Sequence, residues 1–463
     1  MSMLRTISPI DQSVAVETPE ATQQTVQAIL DKAQTAQRSW AAQSLESRIQ
    51  IVTAFVDRIE NNVEPLAKDI TRQMGRPIKY TPGEVKTAVL RSRVMLGYAE
   101  KALARTDVDL ESQPQFRKYL TKEPLGVVLL VTPWNYPWLC LVNGLIPALV
   151  AGNAVVIKPS PQTPTVADSA VQFAREAGLG DLVSVVHTGD VDLMASIVVN
   201  PIIQGLSFTG SVAGGLAIQA AASSRTIPVA LELGGNDATY VRADVADIKD
   251  VAANIADGAL FNTGQSCCSI ERAYVHESVY DKFIEALAEV VANYKVGNPN
   301  DDVDLGPLVS VTAAKRVQAD IQEALDAGAE LITPQKDLSG LGPAFVSPAV
   351  LVNVPRTSRV LADETFGPVL PVVKVSSDEE AIELINDSQY GLTASVWTND
   401  DLKGEEIANQ LDAGTVFVNR CDYPDPHLAW TGYKLSGRGV SLSQFGYDHW
   451  VKVKSHHVKV VKS

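Results

Sequence analysis

The sequence is too poor in cysteine for a disulfide scaffold: four in 463 residues, with Cys140 and Cys421 isolated and Cys267 beside Cys268. It contains no C-x-x-C, and none of its histidines (His187, His276, His427, His449, His456 and His457) has a metal-binding companion at i,i+4. A structural zinc or other metal site is therefore not expected. Basic residues are also short, 39 Lys and Arg against 54 Asp and Glu, for a formal charge of −15. That balance excludes the basic face needed for nucleic acid and disfavours an anionic membrane surface. Residues 1–12 carry no apolar leader or cleavage pattern, so with unpaired thiols the expected compartment is the reducing cytoplasm.

Charge is missing altogether from 124–157, a stretch long enough to span a bilayer. Pro133, Pro137 and Pro147 interrupt it, however, and Asn135, Asn143 and Asn153 would each need a polar partner in lipid. A buried strand–loop–helix–strand of a parallel sheet accounts for it better, because such strands are apolar on both faces. Hydrophobic residues make up 46% and charged residues 20%, as in globular rather than disordered chains. The length suits two or three domains.

Hydrophobic spacing divides the chain. Leu45, Ile49, Val52, Phe55, Val56 and Ile59 recur near every 3.6 residues, and the first hundred residues read mainly as helices over 20–42, 45–61, 64–74 and 82–102. Short apolar runs then alternate with helical segments: strands are expected at 127–131, 154–158, 183–186, 205–208 and 229–233. Helices are expected between them, at 138–151, 165–177, 190–198 and 212–222. This is the pattern of βαβ units, whose ligands sit at the carboxyl ends of the strands. A second alternating region follows, with helices at 248–262 and 279–295 and strands at 272–276, 344–352, 371–375, 395–397 and 415–419. Residues 116–121 and 450–460 read as extended arms, the last alternating and without an obvious partner, which points to pairing with another subunit.

Chemistry-bearing residues fall at these strand and helix ends. Cys267 follows a helix in the small-residue loop Phe261-Asn262-Thr263-Gly264-Gln265-Ser266-Cys267-Cys268. A buried cysteine is commonly a small hydrophobe, and a free thiol is only about 3% thiolate at pH 7. Glu232, before Gly234 and Gly235, ends an apolar strand, where a carboxylate is either ion-paired or a general base with a raised pKa. Asn135, between Pro133-Trp134 and Tyr136-Pro137, offers a neutral amide donor to an oxyanion, or is a turn residue. Phe208-Thr209-Gly210-Ser211 joins a strand to a helix start, a geometry for pyrophosphate or a plain tight turn. Lys158-Pro159-Ser160 ends another strand.

Together these residues resemble the aldehyde dehydrogenase superfamily, and the likeness runs from the Trp40…Arg48 helix pair to Gly432-Tyr433-Lys434-x-Ser436-Gly437-x-Gly439. The order Pro-Trp-Asn, Lys-Pro-Ser, Phe-Thr-Gly-Ser, Glu-Leu-Gly-Gly, Gly-Gln-x-Cys and Glu364-x-Phe366-Gly-Pro makes it specific. The resemblance implies an α/β fold: a Rossmann-like cofactor domain (1–107, 123–234 and 437–446), an α/β catalytic domain (235–436) and a small β oligomerisation arm (108–122 and 447–463). It implies a homodimer or homotetramer that uses NAD(P) and an aldehyde substrate. Carried over, Cys267 is the nucleophile, Glu232 the general base and Asn135 the oxyanion donor. Glu364 holds the nicotinamide ribose, Phe366 packs near the nicotinamide, and Lys158 lies near the adenosine ribose with Ser160. Gly210 and Ser211 meet the pyrophosphate, while Thr132, Trp134 and Gly234 complete the cofactor crevice.

Departures from the family pattern bear on specificity. Six residues before the thiol, where relatives acting on succinic semialdehyde place an arginine, stands Phe261. With Tyr136, Leu139, Tyr423 and Trp430 it implies an apolar or aromatic channel, whereas Arg420 pointing inward would favour an acidic aldehyde. Cys268 reads as channel wall, or as a redox guard of Cys267. A CoA-acylating enzyme generally lacks the glutamate found at Glu232, and a non-catalytic protein on the same fold would not need Cys267, Glu232 and Asn135 together. Pro161 occupies the position, three residues after Lys158, where many NAD-preferring relatives carry a glutamate that repels a 2′-phosphate. The expected outcome is comparable KM values for NADP+ and NAD+ in steady-state assays; a thousandfold preference for NAD+ would contradict this reading.

Overall fold

The apolar runs fold as two separate sheets. In the first, Val127–Val131, Ala154–Lys158 and Val183–Val185 succeed one another outward, and Ile203–Thr209 and Val229–Glu232 extend the sheet on the opposite side. These strands are parallel, and only the two-residue Gly437–Arg438 edge runs antiparallel, against Val229–Glu232. Strand order therefore reverses between Val127–Val131 and Ile203–Thr209, and a crevice opens beyond their carboxyl ends. The second sheet places Glu330–Leu331, Ala349–Val352, Val369–Val375, Ile270–His276, Asp237–Val241, Thr393–Trp397 and Thr415–Val418 in that order. The computed structural model describes residues 2–108, 113 and 115–461.

The charge-free stretch behaves as a buried strand–helix–strand. All of Val127–Val131 is buried, and the helix Pro137–Val150 is apolar nearly all round because the strand Val127–Val131 and the helices Leu45–Glu60 and Thr81–Leu103 pack against it. Asn153 is satisfied inside the protein: it accepts the Gly126 N–H at 2.9 Å and donates to the carbonyls of Ala148 and Trp450 at 3.0 and 2.9 Å. No helix among the described residues is long and apolar enough to cross a membrane.

The four helices of the first hundred residues stand at Gln23–Ala41, Leu45–Glu60, Val63–Met74 and Thr81–Leu103. Val52, Phe55, Val56 and Ile59 of the second are fully buried, as their spacing requires. Its N-terminus is fixed by Ser44, whose hydroxyl accepts the Ser47 N–H, a cap worth about 1 kcal/mol. Before these helices the chain forms an antiparallel hairpin, Met3–Ile7 with Val14–Pro19, over residues for which no element was expected from the sequence.

Two expectations need correction. The C-terminal strand does not lack a partner: Val451–Lys459 pairs antiparallel with Phe116–Pro124 of the same chain, from Val451↔Pro124 to Lys459↔Phe116. A stacked Tyr119–His456 pair at 4.3 Å and the Thr121–His456 hydrogen bond at 3.0 Å supply cross-strand contacts that could not be paired from sequence. Residues 109–112 and 114 of the first arm segment and 462–463 of the second lie outside the described residues. The helix expected over 248–262 ends at Leu260, because Asn262 and Thr263 turn left-handed, at φ +55° and +59°.

Candidate active site

A cavity of about 820 Å³ runs from the reversal point of the first sheet to the Cys267 loop. The loop is built from an unusual turn. Asn262, Thr263 and Gly264 are left-handed in succession, and each non-glycine residue there costs roughly 1–3 kcal/mol. Side chains repay the strain. Asn262 Nδ2 donates to the Gln265 carbonyl at 3.0 Å, Gln265 Nε2 donates to the Asn262 carbonyl at 3.1 Å, and Gln265 Oε1 accepts the Val309 N–H at 2.7 Å. A side chain at Gly264 would collide with the Gly367 carbonyl. Cys267 emerges half-buried, and its backbone N–H has no hydrogen-bond partner among the described residues.

Asn135 is brought to the same point by the strand Val127–Val131. It is buried, and its Nδ2 donates to the Gln265 carbonyl at 3.2 Å, which aims the amide at the Cys267 loop. Arg76 ties the two loops together. Its guanidinium donates to Asn262 Oδ1 at 2.9 Å, to the Asn135 carbonyl, and to Glu84 at 2.5 Å, while covering the Tyr136 ring at 4.1 Å. Glu84 uses its second oxygen to accept the Trp138 N–H at 2.9 Å. Arg76 and Glu84 were not singled out by sequence reasoning. The available signal was Glu84 falling on the buried face of its helix with Val85, Ala88 and Ser92.

Glu232 ends its strand with its carboxyl buried at the cavity wall, where Thr209 Oγ1 donates to it at 3.4 Å. Burial pushes its pKa up, opposed by the nearby hydroxyls and the Arg91 charge. Glu364 accepts the Gly235 N–H at 3.0 Å and is pushed up to about 7 by burial. Behind it, buried Glu271 accepts the N–H groups of Thr365 and Phe366 at 2.7 and 2.8 Å, fixing Phe366 at φ +51°. Phe366 meets Trp134 edge-on at 5.6 Å.

A family model described as the aldehyde dehydrogenase family matches residues 2–456. The chain belongs to the aldehyde dehydrogenase family. It is 32% identical over 460 residues to the 3,6-anhydro-alpha-L-galactose dehydrogenase of Vibrio sp. (strain EJY3), covering 98% of this chain and 95% of that one. It is 33% identical to aminoaldehyde dehydrogenase 1, peroxisomal, of Pisum sativum, covering 97% and 91%. A solved structure of succinic semialdehyde dehydrogenase from Streptococcus pyogenes in complex with NADP+ superposes with a TM-score of 0.93 at 29% identity, covering 99% of this chain and 100% of that one.

Seen as an aldehyde dehydrogenase, the site gathers most of the residues named from sequence. Cys267, Glu232, Asn135, Trp134, Gly210, Ser211, Gly234, Glu364 and Phe366 border the one cavity, as do all six channel residues, Tyr136, Leu139, Phe261, Cys268, Tyr423 and Trp430. Lys158, Ser160 and Thr132 lie outside its lining, at or just beyond the carboxyl ends of their strands. Ser211 Oγ accepts the Gly214 N–H, which leaves its own O–H and the N–H groups of Val212 and Ala213, at the start of Val212–Ala222, as donors for an anion. These residues fit a dinucleotide. A side chain at Gly234 would strike the Glu364 carboxylate, keeping a bare backbone wall beside an acceptor for ribose hydroxyls.

Two charged residues stand beside the channel. Arg420 is exposed and stacks over the Tyr423 ring at 3.8 Å, away from the cavity wall. Asp422, overlooked in the sequence, is pushed up to about 7 by burial and accepts the Cys268 thiol at 2.9 Å and the Ser266 hydroxyl at 3.4 Å. The neighbouring Cys267 thiol, burial and Asp422 all push the Cys268 thiol up, which keeps it protonated in the wall. Glu84→Gln should lower unfolding free energy by about 3 kcal/mol or more, because it strands the buried Arg76 charge. Denaturant unfolding measures this, and a loss below about 1 kcal/mol would contradict the tie.

Proposed function

We propose that this aldehyde dehydrogenase oxidises an aldehyde with an apolar or aromatic body to its carboxylate with NAD(P)+, through a thiohemiacetal and a thioester on Cys267. The observation that carries this reading is the convergence of Cys267, Asn135 and Glu232 on a cavity continuous with the crevice at the strand reversal. When bound there, NAD(P)+ supplies the hydride acceptor. Glu364 would take its nicotinamide ribose, Phe366 and Trp134 would flank the ring, and the Gly210–Ser211 turn would face the pyrophosphate. Lys158, Ser160 and Thr132 would hold the adenosine end, with Pro161 leaving room for a 2′-phosphate.

In this reading the Cys267 sulfur adds to the carbonyl carbon, and the new oxyanion is received by the Asn135 amide and the Cys267 N–H. Losing one such donor costs typically 10²–10³-fold in rate. The alkoxide collapses to a thioester as the carbon gives up its hydride. Glu232 then removes a proton from water, which attacks the acyl carbon; the carbon–sulfur bond breaks and the Cys267 thiolate leaves. The retained base Glu232 supports hydrolysis over transfer to CoA. The chain is proposed to work in the cytoplasm, where its free thiols persist, as a homodimer or homotetramer joined through the arm of 108–122 and 447–463.

Growth of absorbance at 340 nm with a panel of aldehydes tests the reading. Growth without CoA is expected; growth only with CoA, or none, would contradict it. Because burial raises Glu232 and the base works deprotonated, turnover should rise with pH through a pKa above the ordinary glutamate value. Glu232→Gln should remove that limb and cost roughly 10²–10⁴-fold in kcat.

A further inference from the structure

Among the described residues three arginines are 6% exposed or less, and in one of them, Arg91, a side-chain nitrogen has no hydrogen-bond partner. Arg76 is paired with Glu84, and Arg272 is surrounded by the carbonyls of Asn236, Leu384 and Ile385. Arg91, on the helix Thr81–Leu103, is 6% exposed and has no ion pair among the described residues. Its Nη1 reaches Asn143 Oδ1 at 3.4 Å and its Nη2 the Pro424 carbonyl at 3.2 Å, both neutral and long, while Nε has no partner. Glu232 acts on it through space without forming an ion pair. The guanidinium faces the cavity that holds Cys267.

A buried guanidinium with unused donors and no counter-ion is costly, and a carboxylate is the group whose two oxygens match its fork. We propose that Arg91 is the receptor for a carboxylate on the substrate, so that the preferred aldehydes are oxo acids whose carbon chain lies against Trp430 and Tyr136. This deepens the proposed function and rests on Cys267 being the site of reaction. The other cations of the cavity are either ion-paired or, in the case of Arg316, exposed to solvent. Arg76 and Lys79 are paired, and Arg316 donates to the Thr365 carbonyl. Phe261 removes an arginine from the channel mouth, and Arg91 supplies one from a different helix. Asp257 and Asp422 also border the cavity; Asp422 is engaged by Ser266 and Cys268, while Asp257 is the feature that a cationic substrate would use instead.

The test uses the full-length enzyme with sets of ω-oxo acid, its methyl ester and the ω-amino aldehyde of equal length. The acid is expected to exceed the ester at least tenfold in kcat/KM, and Arg91→Met to lower that ratio roughly a hundredfold, with Arg91→Lys in between. A preference for ester or amine, or an unchanged ratio in Arg91→Met, would overturn the proposal. Thermal shift provides a readout independent of turnover: succinate or glutarate should raise the melting temperature of the wild type and not that of Arg91→Met. Equal shifts, or none in the wild type, would likewise overturn it. Silence of every aldehyde with a carboxylate-dependent shift would instead sink the proposed activity and leave the Arg91 receptor standing.

Discussion

The site depends on a buried ion pair that does no chemistry. Arg76 and Glu84 sit nearly free of solvent, and Arg76 spends its remaining donors on both loops while Glu84 holds the helix that follows one of them. Arg76 grips the Asn135 carbonyl and the Asn262 side chain; Glu84 caps the helix that follows Asn135. One loop carries the amide proposed to receive the oxyanion, and the other carries the thiol. A bare buried pair is often neutral for stability, because desolvation offsets the attraction. Here the pair is paid back in geometry, since two loops from different sheets are held in one arrangement.

Around that tie the cavity concentrates carboxyl groups in low dielectric. Glu232, Glu364, Glu271 and Asp422 all have raised pKa values, with burial the first cause in each. Their partners separate their roles. Glu271 is saturated by two backbone N–H groups and shapes the Phe366 turn, whereas Asp422 is engaged by a thiol and a hydroxyl. Glu232 has one long hydrogen bond, from Thr209, and faces open space, the environment a general base requires.

The order of strands and helices and the crevice at the strand reversal were legible because they follow from local periodicity and strand–helix alternation, whereas Cys267, Asn135 and Glu232, which border one cavity, were singled out together only by the family resemblance. What escaped depends on contacts across long separations. Arg76 meets Asn262 nearly two hundred residues away, and nothing near Gly75-Arg76-Pro77 announces it. Asp422 reads as a loop aspartate until the fold sets it against Cys268. Arg420 was readable as a charge but not as a direction, and it turned outward onto Tyr423. The C-terminal strand looked orphaned because its partner, Phe116–Pro124, lies more than three hundred residues upstream.

The central claim is that one sulfur, Cys267, carries the acyl group. Intact-mass and peptide-mapping analysis of Glu232→Gln, mixed with an aldehyde substrate and NAD(P)+, tests it most directly. The account predicts one adduct per chain, with the mass of the aldehyde less two hydrogens, located on Cys267. An adduct on Cys268 or Cys140, or none while the cofactor is reduced, would contradict it.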